Sequence, residues 1–259
     1  MPPFTPQYKN ANQTSNWNIM DSKDIFEINL KKYPEEMNFW KSYQMNYSFN
    51  SDGYRSQEFV SGGGMFLGCS FTLAEGVGVD DRWSKLVASS LNIAENNFGV
   101  SGASGDTCFR LMNYWLPKLN PSHVFILYPY KHRREEFKND KLYQLFPKIY
   151  NLFPTRYSDS EIFNIFSKDK GVRDNYDKDL IEHHLNSWLS SDENIEINYI
   201  KNIMSMQHLC TKNNTKFVCI NVDDINDTLQ TMDKARDAMH PGIEAHKYIA
   251  SLFLEKMSE

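Results

Sequence analysis

Long apolar runs are missing from this chain of 259 residues. Nothing in it approaches the roughly 20 apolar residues that a membrane-spanning helix needs. Its first residues, Met1-Pro2-Pro3-Phe4-Thr5-Pro6-Gln7, lack the basic stretch and apolar centre of a secretion signal, so a cytoplasmic protein is expected. Cysteine is scarce. Cys69, Cys108, Cys210 and Cys219 form no Cys-x-x-Cys pair, and three of them fall in apolar or helical stretches, so buried free thiols are expected. Excess positive charge is absent too, with 28 Lys and Arg against 33 Asp and Glu. The one basic run, Lys131-His132-Arg133-Arg134, is followed at once by Glu135 and Glu136, which leaves no electrostatic reason to expect nucleic acid. What is present is a hydrophobic share of 41% and an aromatic share of 14%, enough for a large core in one α/β domain with an embellishment.

Residues 1–62 are polar and rich in Asn, and read as a loosely structured N-terminal arm. Within it a short helix is expected around residues 35–45 and a turn at Asn50-Ser51-Asp52-Gly53. The run Gly64–Gly68 predicts the first core strand. Trp83, Leu86, Val87 and Ser90 fall on one helical face. Residues 93–100 predict a second strand, 106–119 a helix stopped by Pro121, and His123–Tyr128 a buried parallel strand. Residues 216–221 predict another strand and 242–257 a closing helix. This alternation argues for a three-layer α/β/α domain over residues 63–259, with a flavodoxin-like parallel sheet of about five strands. Residues 130–178 break the rhythm and predict an insertion after the third strand, at the carboxyl edge where open α/β sheets bind ligands.

Two short motifs carry the chemistry. Gly68-Cys69-Ser70-Phe71-Thr72 follows the first core strand, and Asp237-Ala238-Met239-His240-Pro241-Gly242 precedes the last helix. A serine hydroxyl is protonated at neutral pH and needs a base within hydrogen-bond reach, with a third group fixing the base's tautomer. The first motif offers the serine at a strand end. The second offers a histidine with an aspartate three residues before it. Read by themselves, the same residues also suit a turn serine and an aspartate capping the final helix.

The pattern resembles the SGNH (GDSL-type) hydrolase family over roughly residues 50–257. The first block stands here as Phe66-Leu67-Gly68-Cys69-Ser70-Phe71-Thr72, continued by Glu75-Gly76-Val77-Gly78-Val79. A second block stands as Asn97-Phe98-Gly99-Val100-Ser101-Gly102-Ala103-Ser104-Gly105-Asp106-Thr107, and the last as Asp237 to Pro241. The resemblance implies that Ser70 is the nucleophile, His240 its general base and Asp237 the orienting acid. It implies an oxyanion hole from the amides of Ser70 and Gly105, with Gly102 as the alternative register. The chain departs from the family twice. Cys69 replaces the aspartate before the nucleophile, and Leu127-Tyr128-Pro129-Tyr130-Lys131-His132-Arg133 replaces the Gly-x-Asn-Asp block. Lys131, His132 or Arg133 would then have to donate where that asparagine does.

The expected function is hydrolysis of an ester, an O-acyl carbohydrate or a small acyl ester, with no metal or organic cofactor. Acyl transfer by the same triad, and a non-catalytic binding protein with a degenerate site, remain as alternatives. Partners are expected to be small-molecule or glycan esters, without nucleic acid or membrane, and the oligomeric state is left open. Arg55 is a candidate substrate contact. His183 and His184 are adjacent and cannot share a helix face as a metal pair. Asp223, Asp224 and Asp227 read as a polar loop edging the pocket, and His123, His208 and His246 as packing or solvated residues.

Overall fold

Four strands line up as one parallel sheet in the computed structural model, which describes residues 10–18, 20–138, 141–145 and 191–258. In chain order the elements open with β1 (Thr14–Ser15), α1 (Lys23–Lys32), α2 (Pro34–Met37) and β2 (Tyr47–Ser48). The core follows with β3 (Gly64–Gly68), α3 (Ser70–Leu73), α4 (Trp83–Ser90), β4 (Glu95–Gly99), α5 (Gly105–Leu119) and β5 (His123–Tyr128). Then come β6 (Arg134–Lys138), β7 (Lys141–Leu145), α6 (Asp192–Lys212), β8 (Lys216–Asn221), α7 (Val222–Thr231) and α8 (Ile243–Ser258). The sheet order is β4-β3-β5-β8, the first four positions of a flavodoxin-like sheet; the described residues form four parallel strands where about five were expected.

Alternation along the strands builds the three layers. Phe66 and Phe125 are register neighbours and stack at 4.9 Å, and Trp83 of α4 stacks on Phe253 of α8 at 4.5 Å beneath them. The opposite face is reached by residues one step out of phase. Tyr128 meets Tyr199 of α6 at 4.9 Å, and α5 and α6 cover that side together. Each of these rings is almost wholly buried except Tyr199, and full burial of such a side chain contributes about 2–3 kcal/mol. The free cysteines Cys69, Cys108 and Cys210 are buried and Cys219 is half-buried, with no disulfide among them.

The described residues of the amino-terminal segment are not loose. Ser22 caps α1 by accepting from the Ile25 amide, Pro34 opens α2, and a single 3₁₀ turn follows at Phe39–Lys41 where a longer helix was expected. Met37 and Trp40 are buried with Ala74, Val77, Ala235 and Ala238, so the arm has its own small core against two loops of the main domain. The signal for α1 was in the sequence as Ser22 before Asp24 and a terminal Lys31-Lys32. The expected polar loop at Asp223–Asp227 is helix α7, capped by Asn221. Of the expected insertion, the antiparallel pair β6–β7 rises from the carboxyl end of β5. The rest, with His183 and His184, lies outside the described residues.

One buried ion pair ties the sheet edge to α4. Arg82 donates from Nε and Nη2 to the two Glu95 oxygens at 2.7 and 2.6 Å, while Ser84 adds a third bond to Glu95. The Arg82 side chain is 1% exposed and that of Glu95 7%, so removing one partner strands the other charge in the interior. The Arg82→Met variant is expected to lose about 3–5 kcal/mol of stability in equilibrium urea unfolding.

Candidate active site

Ser70 is the first residue of α3, two residues past the point where β3 pairs Gly68 with Gly99 and Leu127. A first-turn residue has no intrahelical acceptor for its N–H, so the Ser70 amide is available to a ligand. Cys69 takes the N-cap place in extended backbone and makes no side-chain cap. Thr72 accounts for the turn's tightness: its Oγ1 donates back to the Leu67 carbonyl. The position of the serine is therefore set by the strand end and by packing, without an aspartate before it.

The second motif forms a closed loop between α7 and α8. Ala235 N–H donates to the His240 carbonyl at 2.9 Å, and Ala238 sits in the left-handed region at φ 59°, a strain of about 1 kcal/mol for a non-glycine residue. Inside it, Asp237 is fully buried. One of its oxygens accepts the Met239 and His240 amides at 2.9 and 3.0 Å, and the other makes a short contact with His240 Nδ1. With Nδ1–H given to a carboxylate, Nε2 is left as the basic nitrogen of the ring. Asp237 does not cap α8; Asp233 does, accepting from the Glu244 and Ala245 amides.

The loop meets the serine helix directly. The His240 ring stands edge-on to Phe71, the residue after Ser70, at 5.9 Å, and the Arg236 amide donates to the Gly76 carbonyl at 3.2 Å. Burial works against charge on His240, yet the Asp237 charge and hydrogen bond, joined by Glu75, outweigh it and hold the imidazole pKa above its usual value. Arg133 opposes that shift. His246, by contrast, is buried beside Arg55, His240 and Arg82 and is pushed down to about 3. Its Nδ1 accepts the Trp83 amide and so caps α4, a structural duty.

The second block supplies a turn. Asn97 donates to the Thr72 carbonyl and to Ser84 Oγ, binding β4 to α3. Past Gly99 the chain turns at Ser101-Gly102, with Gly102 half-buried at φ +76°, a conformation that favours glycine. Gly105 is a different case. It is buried, and a Cβ there would fall 1.9 Å from the Tyr128 hydroxyl, so close packing accounts for that glycine.

Other candidates are placed differently from expectation. Arg55 is wholly buried and gives its hydrogen bonds to the carbonyls of Leu73, Ala74 and Asn46, with its guanidinium 4.1 Å from the Tyr47 ring. It closes the end of the serine helix and is not presented to a substrate. Burial lowers its pKa to about 10. Lys131 turns outward to Glu196 at 3.0 Å and to the Tyr199 ring. His132 lies against Tyr130 at 5.8 Å. Arg133 lies over Tyr130 as well, at 4.9 Å, and Tyr130 in turn meets Phe71 edge-on at 6.3 Å. Of the three residues considered as replacement donors, Arg133 is the one whose charge reaches His240.

The sequence reading passed over Glu75. It is buried behind α3, accepting from Ser101 Oγ at 2.7 Å and from Asn18 Nδ2 at 2.9 Å. Its one local signal was a carboxylate set in a glycine-rich turn right after the serine. Among the described residues, no three His, Cys, Asp or Glu side chains are grouped to hold a metal ion, and no helix is long and apolar enough to cross a membrane.

No family model and no curated protein matches the chain. Solved structures similar to it include a psychrotrophic esterase from Pseudoalteromonas sp., at 15% identity and a TM-score of 0.35 over 75% of this chain and 96% of that one. A member of the lipolytic G-D-S-L family from Veillonella parvula is 12% identical, with a TM-score of 0.34 over 76% of this chain and 98% of that one. An acetylxylan esterase from Geobacillus stearothermophilus, in a catalytic-mutant form, is 14% identical, with a TM-score of 0.37 over 78% and 97%.

The electrostatics of the loop have a direct readout. In an NMR titration the His240 ring is expected to keep its proton above pH 6.5, the ordinary midpoint, and to lose that elevation in Asp237→Asn. His246 is expected to show no protonation wherever the fold persists.

Proposed function

We propose that the chain is a serine-dependent ester hydrolase of the SGNH type, with Ser70 as nucleophile, His240 as general base and Asp237 as the orienting acid. The observation that carries this reading is the buried Asp237–His240 pair, held Nδ1-first in a closed loop whose histidine packs beside Ser70's neighbour at the carboxyl edge of the sheet. A buried carboxylate that fixes a histidine in that tautomer has a specific chemical use, which a solvated Asp-x-x-His pair would not have.

In the reaction, Ser70 Oγ attacks the ester carbonyl as its proton passes to His240 Nε2. Asp237 stabilises the imidazolium so formed. The tetrahedral oxyanion takes hydrogen bonds from the Ser70 amide and from the Gly102 amide, the less buried member of the two glycine registers. His240 then returns the proton to the departing alcohol, leaving Ser70 acylated, and water enters by the reverse sequence to release the acid. Arg133 supplies the positive charge that replaces the asparagine of the third block. The substrate class is an O-acyl carbohydrate or a small acyl ester, and acyl transfer would differ only in the hydroxyl that enters at the last step.

A second reading, a non-catalytic binding protein, is favoured by one feature: Leu127 to Arg133 offers no asparagine where the family has its third donor. The two are separated by assaying p-nitrophenyl acetate and butyrate together with an acetylated xylo-oligosaccharide. The hydrolase is expected to turn over at least one of them, to be acylated at Ser70 by mass, and to lose about 10⁴-fold or more of kcat in Ser70→Ala and His240→Ala. Arg133→Ala is expected to cost about 100-fold in kcat at little change in KM, the loss typical of one oxyanion donor. Equal, negligible rates for the parent and Ser70→Ala on all three esters would favour the binding protein. Because the base must be neutral, kcat/KM is expected to fall as pH drops through the raised His240 pKa.

A further inference from the structure

Glu75 is a buried carboxylate at this site that the proposed reaction does not use. It leaves α3 five residues after Ser70 and is about 1% exposed. Its Oε2 accepts from Ser101 Oγ at 2.7 Å, and its Oε1 accepts from Asn18 Nδ2 at 2.9 Å and the Met20 amide at 3.4 Å. A carboxylate taking bonds from the segment before α1, and from the turn after β4, joins that segment to the turns that follow the paired strands β3 and β4.

We propose, on the reading that Ser70 and His240 form a hydrolase site, that Glu75 is a positioning residue that holds the Ser101-Gly102 turn in place as oxyanion donor and that Asn18 of the amino-terminal segment holds Glu75. The geometry carries this. Gly102 follows Ser101 directly, so the hydrogen bond from Ser101 fixes the peptide that presents the Gly102 amide. Glu75 is itself anchored from the far side, and burial leaves its carboxylate no water to turn to. An oxyanion donor helps only when it is set before the charge develops, and a displacement of about 1 Å can cost about 100-fold in rate.

The same carboxylate also faces His240. The titratable groups around that ring are Asp237 on its own loop, Glu75 after the serine helix, Arg133 after β5 and the buried His246 of α8. Those around Glu75 are His240, Asp237, Asp21, Tyr47 and the buried Arg55, and burial holds its own pKa above the ordinary carboxylate value. Removing the Glu75 charge while keeping its shape therefore takes away one of the groups that favour the imidazolium. A residue that merely filled space would leave that equilibrium unmoved.

The experiment compares the parent protein with Glu75→Gln, Ser101→Ala and Asn18→Ala, measuring ester turnover against pH and the rate at which a fluorophosphonate labels Ser70. Glu75→Gln is expected to lower kcat and the labelling rate by about 10- to 100-fold with KM held within about twofold, and to move the acid limb of kcat/KM to lower pH. Ser101→Ala is expected to lower kcat in the same direction while leaving the acid limb in place, because the charge remains. Asn18→Ala is expected to fall between the parent and Glu75→Gln. Ser101 is solvent-exposed, so its variant keeps the question open to test even if Glu75→Gln fails to fold. An active, labelled parent whose Ser101→Ala variant matches it in kcat overturns this inference alone. A folded Glu75→Gln variant with parental kcat and pH limb does so too. A parent that neither turns over ester nor labels at Ser70 overturns the hydrolase reading, and this inference with it.

Discussion

The structure turns on a fully buried carboxylate that, among the described residues, forms no ion pair with an arginine or lysine. Asp237 is satisfied by two backbone amides and an imidazole, all supplied from within its own loop. A buried negative charge is costly unless its lone pairs are filled, so those bonds dictate the loop's path, including the left-handed Ala238. Once the loop is closed in that way, the orientation of His240 follows. A loop this constrained could still swing as a body, and preventing that is the task of the rest of the molecule.

The amino-terminal segment performs it. Asp21 pairs bidentately with Arg236 at 2.7–3.2 Å, next to Asp237 in sequence, and Asn29 donates to the Asp237 carbonyl at 2.7 Å. Tyr47 donates to Asp21 and accepts from the Gly76 amide, so the same polar cluster reaches the turn behind the serine helix. Trp17 lies under the Arg236 guanidinium at 4.0 Å. Burial raises the Asp21 pKa, and the Arg236 and Tyr47 bonds oppose that rise. Buried ion pairs of this kind are weak contributors to net stability, but removing one partner is expensive, which makes them effective at specifying a single arrangement. The segment that reads as a polar appendage is thus joined to the loop that holds Asp237 and His240.

Much of the fold was legible because its determinants are local. Gly64–Gly68 and His123–Tyr128 are short apolar runs flanked by turn residues, and such runs become buried parallel strands whatever lies far away. Asp237 and His240 were legible for the same reason: a three-residue spacing lets one side chain reach the other without help from the remainder of the chain. Gly105 was the first candidate for the oxyanion amide and Gly102 its alternative. Only the structure gives each glycine its local reason, a positive backbone angle at Gly102 and the Tyr128 hydroxyl packed against Gly105. Arg55 was misjudged because a charged residue near a motif suggests a ligand, whereas the end of α3 presents carbonyls that an arginine fork satisfies.

The sequence by itself determined the core strands, the serine at a strand end and the pairing of Asp237 with His240 in one short loop. Each follows from periodicity, turn chemistry or a hydrogen bond between near neighbours. Tertiary structure alone decided that Glu75 meets both Asn18 and Ser101, that Arg236 meets Asp21, and that Lys131 pairs with Glu196 while Arg133 lies over Tyr130. The reason is physical. A polar side chain in the sequence carries no mark of which distant donor will satisfy it, and that pairing is settled only when burial removes water as the alternative.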